Sequence, residues 1–144
     1  MYKRILVPTD GSDITGKAVQ TAIGLAKLCG GSLFAIAAKE PFPYSAISEM
    51  QPVPPQEFYD AQERIAAARV KAVAEAAAAA GVPCQGHTVE ALHPWEAITD
   101  HAKAQDCDVI VMASHGRRGF TAMMLGSETQ RVLVHTQLPV LVVR

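Results

Sequence analysis

Short runs of apolar residues alternate along the chain with longer segments in which apolar residues recur every three or four positions. The short runs predict buried strands of a sheet. They cover Arg4–Val7, Ser32–Ala38, Cys84–Ala91, Asp108–Ala113 and Val140–Val143. The longer segments predict helices with one buried face. They run from Ser12 or Asp13 to about Leu28, over Glu57–Ala80, over Pro94–Lys103 and from Ser127 to His135.

The strict alternation of strands and helices predicts an α/β fold. Parallel strands need a crossover connection, and helices that serve as crossovers cover both faces of the sheet. We therefore expect one open parallel sheet with helices on both faces, in a single domain over residues 1–144. Cys84–Ala91 is the least apolar of the strands, which is typical of a sheet edge. The proline-rich segment Glu40–Gln56 predicts a long loop.

The composition indicates a protein without a general attraction to polyanions. The net charge is −1 and the pI is about 6.5, so we expect neither a nucleic-acid partner nor binding to an anionic membrane. No apolar run approaches the ~18 residues of a membrane span, and the first apolar run is too short for a signal peptide. Cys29, Cys84 and Cys107 are widely spaced and form no CxxC pair, which is typical of reduced thiols in a cytosolic protein. We therefore expect a cytoplasmic location.

The sequence shows no residue pattern of a strong catalyst or of a metal site. His87, His93, His101 and His135 lack the spacing of metal ligands. Neither a P-loop motif with its lysine nor a GxSxG nucleophile motif is present. We therefore expect no metal site, and ATP hydrolysis that is slow at most.

The segment after the fourth strand has features of a phosphate-binding loop. Gly116 follows the strand closely, and Gly126-Ser127 precedes a helical pattern. Glycine lets the backbone approach a ligand, and a helix start offers unpaired N–H groups. We expect Ser127 to be the N-cap residue, with Gln130 completing a capping box, and residues 120–125 to form a loop or short turn over the site. The glycines alone fit tight turns equally well.

Three motifs together resemble the universal stress protein family. They are Val7-Pro8-Thr9-Asp10, then Ala113 to Gly116 followed after nine residues by Gly126-Ser127, and Leu138 to Val143 as the last strand. The resemblance covers essentially all 144 residues. Where this chain has Ala113, the family's pattern has a glycine. The added methyl group stands where backbone should approach the ligand, so we expect it to weaken nucleotide binding.

The resemblance implies a Rossmann-like sheet of five strands in the order 3-2-1-4-5. It also implies an adenine nucleotide as ligand, ATP or AMP with or without Mg²⁺, and a homodimer. In open α/β sheets, ligands bind beyond the carboxyl ends of the strands, at the point where strand order reverses. In this order that point lies between the first and fourth strands, which end at Asp10 and Ala113.

The resemblance and the residue chemistry together assign roles at this edge. Asp10 would accept a hydrogen bond from the adenine amino group or a ribose hydroxyl; alternatively, it pins its own loop as an Asx-turn. The residues whose backbone would line the base and sugar are Pro8, Thr9, Ala37, Met112 and Ala113. The residues that would hold or screen the phosphates are Gly116, Gly126, Ser127 and Glu128, with Arg117 or Arg118.

This pattern is compatible with three functions. The first is an adenine-nucleotide-binding regulatory module in the stress response. The second is a dimeric stress protein that binds no nucleotide and acts as an interaction module; the third is a slow ATP hydrolase or nucleotidyl-transfer enzyme. Val140–Val143 is wholly apolar and lies at the sheet edge in the family's order. We therefore expect residues 139–143 of two copies to pair antiparallel across a two-fold axis.

Overall fold

The computed structural model describes residues 1–43, 55–116 and 124–144, in which strands and helices alternate. The strands are β1 (Arg4–Pro8), β2 (Ser32–Lys39), β3 (Cys84–Glu90), β4 (Val109–Ala113) and β5 (Val140–Val143). The helices are α1 (Asp13–Cys29), α2 (Gln56–Ala79), α3 (Pro94–Ala104) and α4 (Ser127–His135). Every predicted element is present, and no bound differs from the prediction by more than one residue. Most of the predicted loop Glu40–Gln56 lies outside the described residues.

The strands form one parallel sheet in the order β3-β2-β1-β4-β5. This confirms the five-stranded order that the resemblance implied. The weakly apolar β3 lies at one edge, as predicted, and β5 lies at the other. Strand order reverses between β1 and β4, which pair through Ile5 with Val109 and through Leu6 with Ile110.

A core layer covers each face of the sheet, because successive side chains of a strand point to opposite faces. Along β4, Val109 and Val111 lie in the layer under α1 and α2. Ile110 and Met112 lie in the layer under α3 and α4. One face of α1 is buried against this sheet, and it includes Val19, Ala22, Ile23 and Ala26.

The starts of β1 and β4 are fastened together by one carboxylate. Asp108 accepts hydrogen bonds from the backbone N–H groups of Lys3, at 2.7 Å, and of Arg4, at 3.2 Å. Its own N–H donates to the carbonyl of Arg4 at 2.9 Å. These bonds fix the register of the two central strands, and with it the relative position of their carboxyl ends.

The three cysteines are free thiols, but only one of them is fully buried. Burial raises the pKa of Cys107 to about 11, so this thiol is protonated at neutral pH and behaves as a small apolar side chain. Cys29 and Cys84 are half-buried. None of the described helices combines the length and apolarity needed to cross a membrane.

Candidate functional site

The carboxyl ends of β1 and β4 meet at the point where strand order reverses. Asp10 follows β1, and Gly116 lies in the loop that leaves β4. A Cβ atom on Gly116 would lie 2.7 Å from Oδ2 of Asp10, a distance that no real Cβ tolerates. Glycine at position 116 therefore allows the two loops to touch, and two of the predicted site residues are in contact.

One oxygen of the Asp10 carboxylate is occupied by its own loop. Oδ1 accepts from the N–H of Ser12 at 2.9 Å, from the Ser12 hydroxyl at 2.6 Å and from the Thr15 hydroxyl at 3.0 Å. The first of these bonds is the Asx-turn that the sequence left open as an alternative role. Oδ2 is the oxygen that faces Gly116.

The residues predicted to line the base and sugar end β1 and β4 and lie on the neighbouring β2. Thr9 donates its N–H to the carbonyl of Ile36 at 2.9 Å, which ties the end of β1 to β2. The next residue of β2, Ala37, has a side chain that is completely buried under α1 and α2. Pro8 is half-buried, and Met112 is buried against α3 and α4. The side chains of Ala37 and Met112 therefore belong to the core. Only the backbone of these two residues could line a bound base or sugar.

Ala113 ends β4 with its methyl group inside the protein. The residue is only 5% exposed. By the alternation of the strand, its side chain lies on the same face as Val109 and Val111, towards α1. Its backbone needs no glycine, because its φ is not positive. The methyl group thus packs within the chain's own core layer.

Thr129 is a residue of this site that the sequence analysis missed. It is buried on α4, and its hydroxyl donates to the carbonyl of Ala113 at 2.9 Å. This bond ties α4 to the end of β4. The signal in the sequence was its spacing: Thr129 lies three residues before Val132 and so shares the inner face of the helix.

Gly126 lies where two backbone segments cross closely. Its N–H donates to the carbonyl of Ser114 at 2.7 Å. A Cβ atom at this position would lie 3.0 Å from Cα of His115 and 3.2 Å from the Ser114 oxygen. From the sequence, this glycine fitted either close approach of a ligand or a tight turn; in the structure it also leaves room for the neighbouring backbone of Ser114 and His115.

The predicted capping box at the start of α4 does not form, and that prediction was wrong. Gly126 is the N-cap residue, in extended conformation, and Ser127 is the first helical residue. The Gln130 side chain donates instead to the carbonyl of Leu125 at 2.6 Å. Within the described parts of the chain, no side chain caps this helix. The first-turn N–H groups of α4 therefore lack a side-chain acceptor there.

Glu128 makes a different contact from the one expected of a phosphate-binding residue. Its Oε2 accepts the N–H of Trp95, in the first turn of α3, at 2.7 Å. The N-cap residue of α3, His93, makes no side-chain capping bond, so Glu128 supplies the missing acceptor. The Trp95 ring in turn stacks on His135 at 4.2 Å between ring centroids. Glu128 therefore joins the start of α4 to the start of α3, and only its backbone N–H remains a candidate for phosphate.

The remaining predicted site features lie beside the loop or outside the described residues. Arg117, Arg118 and most of the predicted turn 120–125 belong to the segment 117–123, which is not described. A cavity of about 300 Å³ adjoins the loop after β4. It is lined by Asp13, Ile14, Lys17, Ser114, His115 and Arg144. Among the described residues, no group of three or more His, Cys, Asp or Glu side chains is arranged to hold a metal ion.

The five parallel strands, with helices on both faces and a switch point between β1 and β4, place the chain in the class of open α/β sheet proteins. The universal stress protein family model matches residues 1–144, and the chain belongs to this family. It is 34% identical to a universal stress protein of Thermus aquaticus over 144 residues, which cover 100% of both chains. A universal stress protein of Methanocaldococcus jannaschii is 32% identical over 145 residues, which cover 100% of this chain and 83% of the relative.

Solved structures of the family share the fold over nearly the whole chain. UspA of Lactobacillus plantarum has a TM-score of 0.83 at 24% identity, covering 99% of this chain and 98% of its own. A universal stress protein in complex with cAMP has a TM-score of 0.73 at 23% identity, covering 99% and 97%. A universal stress protein of Archaeoglobus fulgidus in complex with dAMP has a TM-score of 0.72 at 19% identity, covering 99% and 98%. At these identities the likeness shows the common fold alone.

Proposed function

We propose that this universal stress protein is an adenine-nucleotide-binding regulatory module, with the nucleotide held between Asp10 and the start of α4. The observation that carries the proposal is the contact of Asp10 with Gly116 at the switch point of the sheet. The complexes of related proteins with cAMP and dAMP support an adenine nucleotide as the ligand. Occupancy by ATP or AMP would then shift conformation or partner choice.

The described contacts narrow the predicted roles of the site residues. The N–H of Gly126 is already bonded to Ser114, so phosphate binding falls to the first-turn N–H groups of Ser127 and Glu128 and to the Ser127 hydroxyl. A helix start attracts phosphate through these groups and through its dipole. Asp10 is the acceptor for a donor on the base or ribose. A Mg²⁺ ion would be held through water and the nucleotide's own phosphates.

Adenine nucleotides are expected to stabilise the protein against unfolding. At a free concentration of about 100 times the dissociation constant, AMP or ATP should add ~2.7 kcal/mol to the free energy of unfolding. This gain is measured as a rise in melting temperature, with titration calorimetry giving the dissociation constant. Guanosine monophosphate is the matched control for base recognition. A flat response to millimolar ATP, ADP and AMP would favour the alternative, a dimeric interaction module without a nucleotide.

Ala113→Gly is expected to leave nucleotide affinity within about twofold of the unsubstituted protein. The methyl group packs inside the protein on the α1 side of the sheet, so its removal opens no space for a ligand. The substitution should instead lower the free energy of unfolding by roughly 0.5–1 kcal/mol, because glycine weakens a strand. Calorimetric titration with AMP and a thermal melt of each protein measure the two effects. A tenfold gain in affinity would show that the methyl group is the obstacle that the sequence suggested.

We also propose that two copies assemble through residues 139–143. Among the strands of the described residues, β5 pairs with β4 alone, and no described strand lies along its other edge. Leu141 on this strand is 43% exposed. An open apolar edge is satisfied most simply by an identical strand across a two-fold axis.

A further inference from the structure

Two histidine rings stack where α3 meets the edge strand β3. His87 lies on β3 and His101 lies in the last turn of α3. Their ring centroids are 4.6 Å apart, and the ring planes differ by 7°. His87 is exposed and His101 is half-buried. Since the ordinary pKa of histidine lies near neutral pH, this histidine stack brings two groups that titrate in the same pH range into direct contact.

On this face of the sheet, β3 offers little apolar surface to α3. Side chains of a strand alternate between faces, and Gln85, His87 and Val89 lie on the α3 side. Val89 is partly buried and packs on the layer under α3 and α4, whereas Gln85 is exposed. On the opposite face β3 is held by α2, where Thr88 donates a hydrogen bond to Glu63 at 3.0 Å. Loss of the histidine stack would therefore loosen α3 and leave β3 in the sheet.

The side chains next to the histidine stack on its own two elements are uncharged. One turn from His101 on α3, and two residues from His87 on β3, stand Ala97, Ile98, Ala104, Gln105, Gln85 and Val89. Asp100 and Lys103 adjoin His101 in sequence, but residues one or two apart do not face each other on a helix. Glu90, three residues from His87, lies on the other face of β3.

The elements packed against α3 and β3 bring charged or titratable groups of their own. From α2, across the sheet, comes Glu63, whose pKa is lowered mainly by its hydrogen bond with Lys39 and least by the charge of His87. This carboxylate already forms an ion pair with Lys39 at 2.7 Å. From α4, His135 stacks on Trp95 at the start of α3. A protonated ring there gains cation–π attraction, so acid strengthens that contact instead of weakening it.

We propose that the histidine stack is an acid-sensitive contact: protonation of both rings loosens α3 from the edge strand and opens the apolar layer beneath, while the sheet stays folded. Neutral rings stack favourably, whereas two imidazolium rings at this distance repel each other. The protein would thus report acidification by exposing this layer. The inference goes beyond the proposed function and does not depend on nucleotide binding.

The sign of the pH dependence follows from His101. Burial lowers the pKa of this ring, and the charge of His87 lowers it further. Below the ordinary histidine pKa of about 6.5, the folded protein therefore binds fewer protons than the unfolded chain. The contribution of the contact to stability is complete above that pH and is lost as the pH falls below it.

Hydrogen exchange of backbone amides at pH 7.5 and pH 5.0, corrected for intrinsic rates, measures the opening. Amides of α3 should open about fivefold more often at pH 5.0, whereas those of α1 should change by less than about twofold. His87→Gln removes one of the two charges at an exposed position and should reduce the α3 response to less than about twofold. His93→Gln is the matched control. This exposed histidine precedes α3 and makes no side-chain capping bond, so the variant should respond like the unsubstituted protein.

Two further variants test the sign and keep the experiment valid if His87→Gln folds poorly. His87→Glu places a carboxylate beside His101, so the α3 amides should become more protected at pH 5.0 than at pH 7.5. His101→Phe keeps an aromatic stack without a charge and should abolish the pH response. Melting at pH 7.5 reports the folding of each variant, and all measurements use the full chain without nucleotide. Equal α3 exchange at the two pH values in the unsubstituted protein would overturn the proposal, as would an undiminished acid response in folded His87→Gln.

Discussion

Val142→Pro is expected to convert a homodimer into a folded monomer. The carbonyl of Pro139 accepts a hydrogen bond from the N–H of Ile110 in β4 at 3.0 Å, and that of Val143 accepts from the N–H of Ser114, just after β4, at 2.7 Å. In a parallel strand, alternate residues direct their backbone groups to the same side. The N–H of Val142 therefore points away from β4, to the open edge, where an identical strand would pair. Proline at an edge removes that donor and leaves the internal ladder intact.

Two controls accompany this variant. Val142→Thr keeps the N–H and the β-branched shape, so the dimer should persist. Leu141→Pro removes a donor that faces β4 and breaks the internal ladder, so it should lower stability and cause loss of soluble protein. Light scattering at micromolar concentration measures the mass. A mass of 15.3 kDa for the unsubstituted chain would contradict the proposed dimer.

Alanine substitutions at three glycines are expected to give three different results. Gly126→Ala should lower the free energy of unfolding by about 1–3 kcal/mol without any ligand, because the new Cβ crowds backbone atoms of Ser114 and His115, which must shift to make room. Gly116→Ala should lower the free energy of unfolding less than Gly126→Ala does. It should weaken nucleotide binding, because its Cβ displaces Oδ2 of Asp10. Gly24→Ala is the control within α1, where a Cβ meets no atom within 4 Å. It should raise stability by roughly 0.5–1 kcal/mol.

Thermal melts without ligand and calorimetric titrations with AMP separate these results. Comparing the three variants also shows which glycine substitution tests the ligand and which tests the fold. A larger substitution such as Gly126→Val would disturb the same backbone contacts and so would not test phosphate binding by itself. Unchanged AMP affinity in a folded Gly116→Ala variant would contradict the placement of the nucleotide against Asp10.

Much of the fold was predictable from the sequence because the spacing of apolar residues indicates which face of each element is buried. Each strand and helix buries a face whose spacing depends only on its own geometry. The start of α1 was also predictable from the sequence, because its N-cap residue, Ser12, lies directly before the helix. Strand order was different. Alternation left it open, and it came from the resemblance to a family before the sheet confirmed it.

The sequence predicted where the candidate site lies in the fold. It predicted only some of the contacts that its residues make. The motifs put Asp10 and Gly116 at one edge of the sheet, and the structure brings them together. The partners of Glu128 and Thr129 lie 33 and 16 residues away along the chain. No local pattern specifies such partners, because they depend on how helices are placed on the sheet.

The sequence by itself determined the strands and helices and, to within one residue, their bounds. Only the tertiary structure decided that Gly126 serves a backbone crossing, that Glu128 caps α3 and that the Ala113 methyl group lies in the core. The physical reason is the range of the interactions. Helix and strand formation depends on neighbours a few residues apart, whereas close approach, capping between helices and side-chain burial depend on segments that meet only after the chain has folded.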